Sequence, residues 1–113
     1  MDMDINSCTD RLIDAIKNSR DYQDYKHCSE AIDGMPGVFD KIMELRKLTV
    51  QLYHSDDEEA LQRGTEDLAG RYDELLKIPN VNLFLESEEA LLKILRDVSR
   101  NVMDAMELRV PDL

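Results

Sequence analysis

The sequence predicts an all-α fold: a bundle of four to five helices with a long C-terminal helix and an antiparallel helical hairpin. Three observations carry this. Apolar residues recur at helical spacing along nearly the whole chain. Aromatic residues are only 5%, with no Trp and four Gly, while charged residues reach 35%; such usage favours helices over a β-sandwich. Turn signals fall at intervals that leave short connections, the pattern of a bundle. At 113 residues, one domain over 1–113 is expected, with no linker, low-complexity tract or internal repeat.

The first helix is expected from about Asp4 to Ser19. Ile5, Cys8, Leu12, Ala15 and Ile16 form its seam, with Ile13 beside them. Asp4 can cap it, and Asn6 and Ser7 compete for that role. The next helix is expected from about Arg20 to Asp33, with Tyr22, Tyr25, Cys28, Ala31 and Ile32 on one side. Ser19 caps it, or the two helices are continuous with a bend; the residues leave both open. Gly34-Met35-Pro36-Gly37 then ends one helix and opens another, Gly suiting a position past a C-terminus and Pro a first turn.

A third helix, about Pro36 to His54, carries Val38, Ile42, Leu45, Thr49 and Leu52 in 4-3-4-3 steps. Phe39, Met43, Leu48 and Val50 widen that seam, as expected of a helix that is central or shared with another subunit. Ser55-Asp56-Asp57-Glu58 reads as a capping box, in which Ser55 accepts from the amide of Glu58 and Glu58 reaches back. The fourth helix, about Asp56 to Lys77, repeats the heptad seam at Leu61, Thr65, Leu68, Tyr72 and Leu75. Gly64 and Gly70 each weaken it by about 1 kcal/mol relative to Ala; simple tolerance is favoured over close helix approach.

Pro79 to Leu108 reads as one amphipathic helix, about 40 Å long, with Asn80 as its cap. Val81, Phe84, Leu85, Leu91, Leu92, Leu95, Val98, Val102 and Met106 make its stripe. Glu86, Glu88 and Glu89 come early and Lys93, Arg96 and Arg100 later, which suits the helix dipole. Glu88 sits on the stripe between Leu85 and Leu92. It reads first as a stripe-edge acid reaching water or an Arg, and second as a polar device for register or partner choice. The tail after Leu108 is expected to fray.

Chemistry is sparse. There is no phosphate-binding glycine loop, nucleophile elbow or HExxH motif, so no enzyme is expected. His27 and Cys28 are adjacent, and neighbouring helical residues point about 100° apart, so they are poor ligands for one ion. The acidic run after Ser55 lacks the ligand alternation and turn glycine of a calcium loop. No metal site is therefore expected. Cys8 and Cys28 fall on apolar stripes, where cysteine acts as a small buried hydrophobe. A small metal- or redox-responsive sensor using Cys8 and Cys28 is the alternative to an interaction protein. A net charge of −11 argues against direct nucleic-acid binding. An acidic N-terminus and the lack of any long apolar run predict no secretory leader, no membrane span and a cytoplasmic location.

Two runs resemble a known family. Pro79, Val81, Phe84, Leu85, Glu88 and Leu91 resemble the C-terminal signature of the YlbF/YmcA family, small bacterial helical regulators of competence, sporulation and biofilm formation. Leu12, Ile16, Ser19, Tyr22 and Tyr25, followed by Pro36, are similar to its N-terminal run, so the resemblance covers roughly residues 5 to 106. It implies a non-catalytic regulatory subunit that self-associates or pairs with a paralogue, in a complex with a YaaT-like protein linked to RNase Y-dependent mRNA processing. An iron–sulfur cluster is implied only for such a complex; the C-terminal Pro111-Asp112-Leu113 carries no cysteine, so none is expected of this chain. Phe84, Leu85, Leu91, Leu92 and Leu95 are the expected partner-binding residues, with Tyr22 and Tyr25 next.

Overall fold

The computed structural model describes residues 4–109. Five α-helices account for most of them, and no strand occurs among the described residues. They are α1 (Ile5–Lys17), α2 (Arg20–Asp33), α3 (Val38–Tyr53), α4 (Glu58–Leu76) and α5 (Val81–Ala105). Ser29–Phe84 forms one compact unit, and the described residues on either side of it form a second, so the division falls inside α2 and α5.

The ends of α1 and α2 follow from local hydrogen bonding. Asp4 is extended, and its carboxylate accepts from the amide of Ser7 at 2.7 Å, which satisfies one of the four unpaired amides of a helix start. Asn18 closes α1, with Lys17 in the last turn, where a cation suits the negative helix end. Ser19 separates the two helices. Its hydroxyl donates back to the carbonyl of Ile16 and accepts from the amide of Tyr22, and Gln23 Nε2 donates to the carbonyl of Lys17 at 2.7 Å. α1 and α2 are thus two helices, the question the residues left open.

In the Ser29–Phe84 unit, the Gly34 amide closes α2 on the carbonyl of Glu30. Gly37 then takes φ 76, a left-handed conformation that glycine enters without a Cβ penalty. That turn delays α3 to Val38, so Pro36 lies in the connection rather than in the helix. α3 packs antiparallel on α4: Leu52 lies against Gly64, Thr49 meets Tyr72, and Glu44 lies 3.8 Å from Arg71. Thr49 Oγ1 donates to the carbonyl of Leu45 at 2.7 Å. Its one proton is thereby used, and Tyr72 is the donor in the 3.4 Å contact between the two hydroxyls.

The buried apolar side chains are Ile32, Val38, Ile42, Leu45, Leu75, Val81 and Phe84, of which Ile32, Ile42, Val81 and Phe84 are fully buried. All belong to Ser29–Phe84. The predicted α3 seam supplies three of them, and its Thr49 and Leu52 are half-buried. On α4 the seam is graded: Leu75 is buried, Tyr72 and Leu68 are half-buried, and Leu61 and Thr65 are exposed. Complete burial of a Phe or Ile side chain contributes roughly 2–3 kcal/mol, so this small core holds much of the folding free energy.

Three predicted details are corrected. The capping box at Ser55 does not form. The Ser55 amide is spent on the carbonyl of Leu52, ending α3, and α4 starts at Glu58 with Asp57 as cap, its carboxylate accepting from the amide of Glu59 at 3.0 Å. Asn80 does not cap α5 in the extended conformation a cap needs. It is left-handed at φ 72, and its carbonyl accepts from the amide of Phe84. α5 stops at Ala105 rather than Leu108, because Glu107 turns left-handed at φ 59.

Candidate interaction surface

The second unit holds α1, the first half of α2, and α5 from Leu85 onward. None of its described side chains is fully buried. α5 is apolar on two faces. Ser87, Ala90, Leu91, Ile94, Asp97 and Val98 recur at helical spacing and are half-buried. Roughly 100° round the helix, Leu92, Leu95, Val102 and Met106 step 3-7-4 along the axis and are 41%, 44%, 54% and 63% exposed. Ser99 fills the heptad position between Leu95 and Val102, half-buried, with its hydroxyl 3.8 Å from the sulfur of Met103.

Charges border that open stripe on one side. Arg96 is hydrogen-bonded to Glu89, seven residues earlier on the same helix, and Lys93 lies 3.4 Å from Asp97. Glu88, in register with the stripe, is half-buried. α1 adds exposed Ile5, Leu12 and Ile13. α3 of the other unit also has an outward apolar side, with Phe39, Met43, Val50 and Tyr53 exposed and a shallow groove along Asp40, Met43, Lys47 and Val50.

The predicted partner-binding residues therefore fall into three environments. Phe84 is 1% exposed, in the core of Ser29–Phe84. Leu85, Leu91, Tyr22 and Tyr25 are half-buried, and Leu92 and Leu95 are open to solvent. Val102 and Met106, outside the predicted set, are more exposed than either leucine. The heptad continuity from Leu92 was the signal that would have included them.

Cys8 and Cys28 are both free thiols. Cys8 is exposed rather than buried as its stripe position suggested, because the α1 stripe itself lies open; Cys28 is half-buried. Among the described residues, no group of three or more His, Cys, Asp or Glu side chains is placed to hold a metal ion, and no helix is long and apolar enough to cross a membrane.

These features define an all-α helical-bundle protein whose largest helix carries an uncovered apolar stripe. The chain belongs to the YlbF/YmcA family: the family model described as control of competence regulator ComK, YlbF/YmcA, matches residues 6–107. Its helical architecture agrees with the helical fold that the resemblance implied, and its long C-terminal helix with the one that the apolar periodicity predicted. It is also similar to a UPF0342 protein of Caldicellulosiruptor saccharolyticus, 25% identical over 100 residues, covering 87% of this chain and 83% of that protein. No solved structure matches.

Proposed function

We propose that the chain is a non-catalytic regulatory subunit that acts by packing its open helix stripes against a second helical subunit, either another copy or a paralogue. The observation that carries this reading is the uncovered row Leu92, Leu95, Val102 and Met106 on α5. Apolar side chains in such a row gain roughly 25 cal/mol for each Å² removed from water, so a facing helix stripe is a favourable partner. Family membership supports a role connected with control of competence. The finer reading is a cytoplasmic complex with a YaaT-like protein that modulates RNase Y-dependent mRNA processing, and through it competence, sporulation and biofilm formation. A chain of net charge −11 serves such a complex through protein contacts rather than by gripping RNA itself.

The test is affinity co-purification from the native organism under anaerobic conditions, read by mass spectrometry. Recovery of a paralogue, a YaaT-like protein or RNase Y supports the reading. Recovery of the chain alone, with none of these at native expression, overturns the complex.

A further inference from the structure

We infer that the α5 stripe pairs antiparallel with the α5 stripe of a second copy, centred between Leu92 and Leu95 and held in register by Glu89 of each chain against Arg96 of the other. This rests on the proposed self-packing role and goes further by naming the occupant and its register. The stripe runs Leu85, Glu88, Leu92, Leu95, Ser99 and Val102, in heptad steps throughout. A heptad seam admits antiparallel registers one heptad apart, and the residues flanking the seam choose between them.

In the central register, Leu92 faces Leu95 of the second copy on both sides of the two-fold axis, and Leu85 faces Val102. Glu88, the one acid on the seam, faces Ser99, whose hydroxyl is spent in the single chain on the sulfur of Met103 at 3.8 Å. A carboxylate is the better acceptor for that hydroxyl. Along the flank, Glu89 faces Arg96 of the second copy twice, once at each end. Sliding by one heptad in one direction sets Arg96 against Arg96, and in the other Glu89 against Glu89. Of these three, only the central register meets opposite charge with opposite charge. Glu89 and Arg96 are bonded to each other within one chain, yet their side chains remain 64% and 46% exposed, so exchange between chains requires no burial of a lone charge. Exposed pairs of this kind are individually weak; here they select register while the leucines supply the area. Self-pairing of one surface about a two-fold axis is the closed arrangement that most soluble oligomers adopt.

Sedimentation of the full chain tests this with two variants, Glu89→Arg and Arg96→Glu. Each loses the bond within its own chain and places like charges across the seam. The expected result is a wild-type dimer, self-association weakened about tenfold or more in each variant alone, and restoration when the two are mixed. In the mixed dimer Arg meets Glu at both flanks, although neither chain has regained its internal bond. Circular dichroism on each variant reports helix content, so a folding defect is read separately. A monomeric wild type at roughly 100 μM, or a mixture no tighter than either variant alone, overturns the pairing. Neither result touches the capture of a paralogue or a YaaT-like protein, whose own failure would show in the co-purification instead.

Discussion

Gly64 lies directly beneath Leu52 where α4 crosses α3: a Cβ placed on Gly64 would fall 2.5 Å from Leu52 Cδ1. Gly70, six residues along the same helix, has no atom within 4 Å of the equivalent position. Two glycines that look alike in the sequence thus differ in cause, and close approach, not tolerance, accounts for Gly64. Gly70→Ala should stabilise the protein by up to about 1 kcal/mol, the intrinsic helix preference of Ala over Gly. Gly64→Ala should gain less or destabilise, because Leu52 must rotate away. Chemical denaturation measures both. Equal gains at the two positions would show that Leu52 is not packed on Gly64, and restoration of the gain by adding Leu52→Ala to Gly64→Ala would locate the clash there.

The start of α4 offers a second comparison. Asp57→Ala removes the carboxylate that accepts from the amide of Glu59 and should cost about 1 kcal/mol. Ser55→Ala should stay within about 0.5 kcal/mol of wild type, since the backbone amide rather than the hydroxyl of Ser55 closes α3. Thermal melts of the two variants decide between Asp57 and the sequence-predicted capping box; a larger loss at Ser55 would reinstate the box.

The C-terminal end of α2 was legible because Gly34 follows it, whereas Ser19 left one bent helix or two equally open until its hydroxyl was placed between the carbonyl of Ile16 and the amide of Tyr22. The start of α4 was not legible, because Ser55, Asp56 and Asp57 can all cap a helix, and the choice depends on where the preceding turn uses up its amides. Periodicity identified the α3 seam through Val38, Ile42 and Leu45, but the same 4-3-4-3 steps on α4 include the exposed Leu61 and Thr65. It could not distinguish Phe84 from Leu92. Both sit on an apolar stripe of α5, yet one is 1% and the other 41% exposed. Amphipathic spacing states that a face is apolar, whereas which neighbour covers it is decided by the rest of the chain or by another molecule.

That difference gives a third prediction. Phe84→Ala should cost about 3–5 kcal/mol, the transfer and cavity terms of a buried aromatic, and lower the melting temperature at every protein concentration. Leu92→Asp should leave helix content close to wild type while abolishing self-association, because its side chain is partly in water already. Circular dichroism combined with sedimentation separates the two. Loss of helix content in Leu92→Asp at high dilution would assign Leu92 to the core of the single chain.

The C-terminal end of α5 closes with Leu108 donating to the carbonyl of Met103 and Glu107 to that of Asp104. This is the paired six-to-one and five-to-two pattern in which the left-handed residue is usually Gly. Here that residue is Glu107, at φ 59. An L side chain in this conformation costs roughly 1 kcal/mol or more, and an acid there also faces the negative end of the helix dipole. Glu107→Gly relieves both and should stabilise the protein by about 1 kcal/mol, raising the melting temperature by several degrees. Glu107→Lys relieves only the charge and should recover a few tenths of a kcal/mol, within the usual range of dipole effects. Scanning calorimetry on the pair apportions the two causes. If Lys matched Gly, electrostatics alone would explain the gain and the left-handed turn would carry no strain. If neither raised the melting temperature, the end of α5 would open independently of global unfolding, as frayed helix ends do.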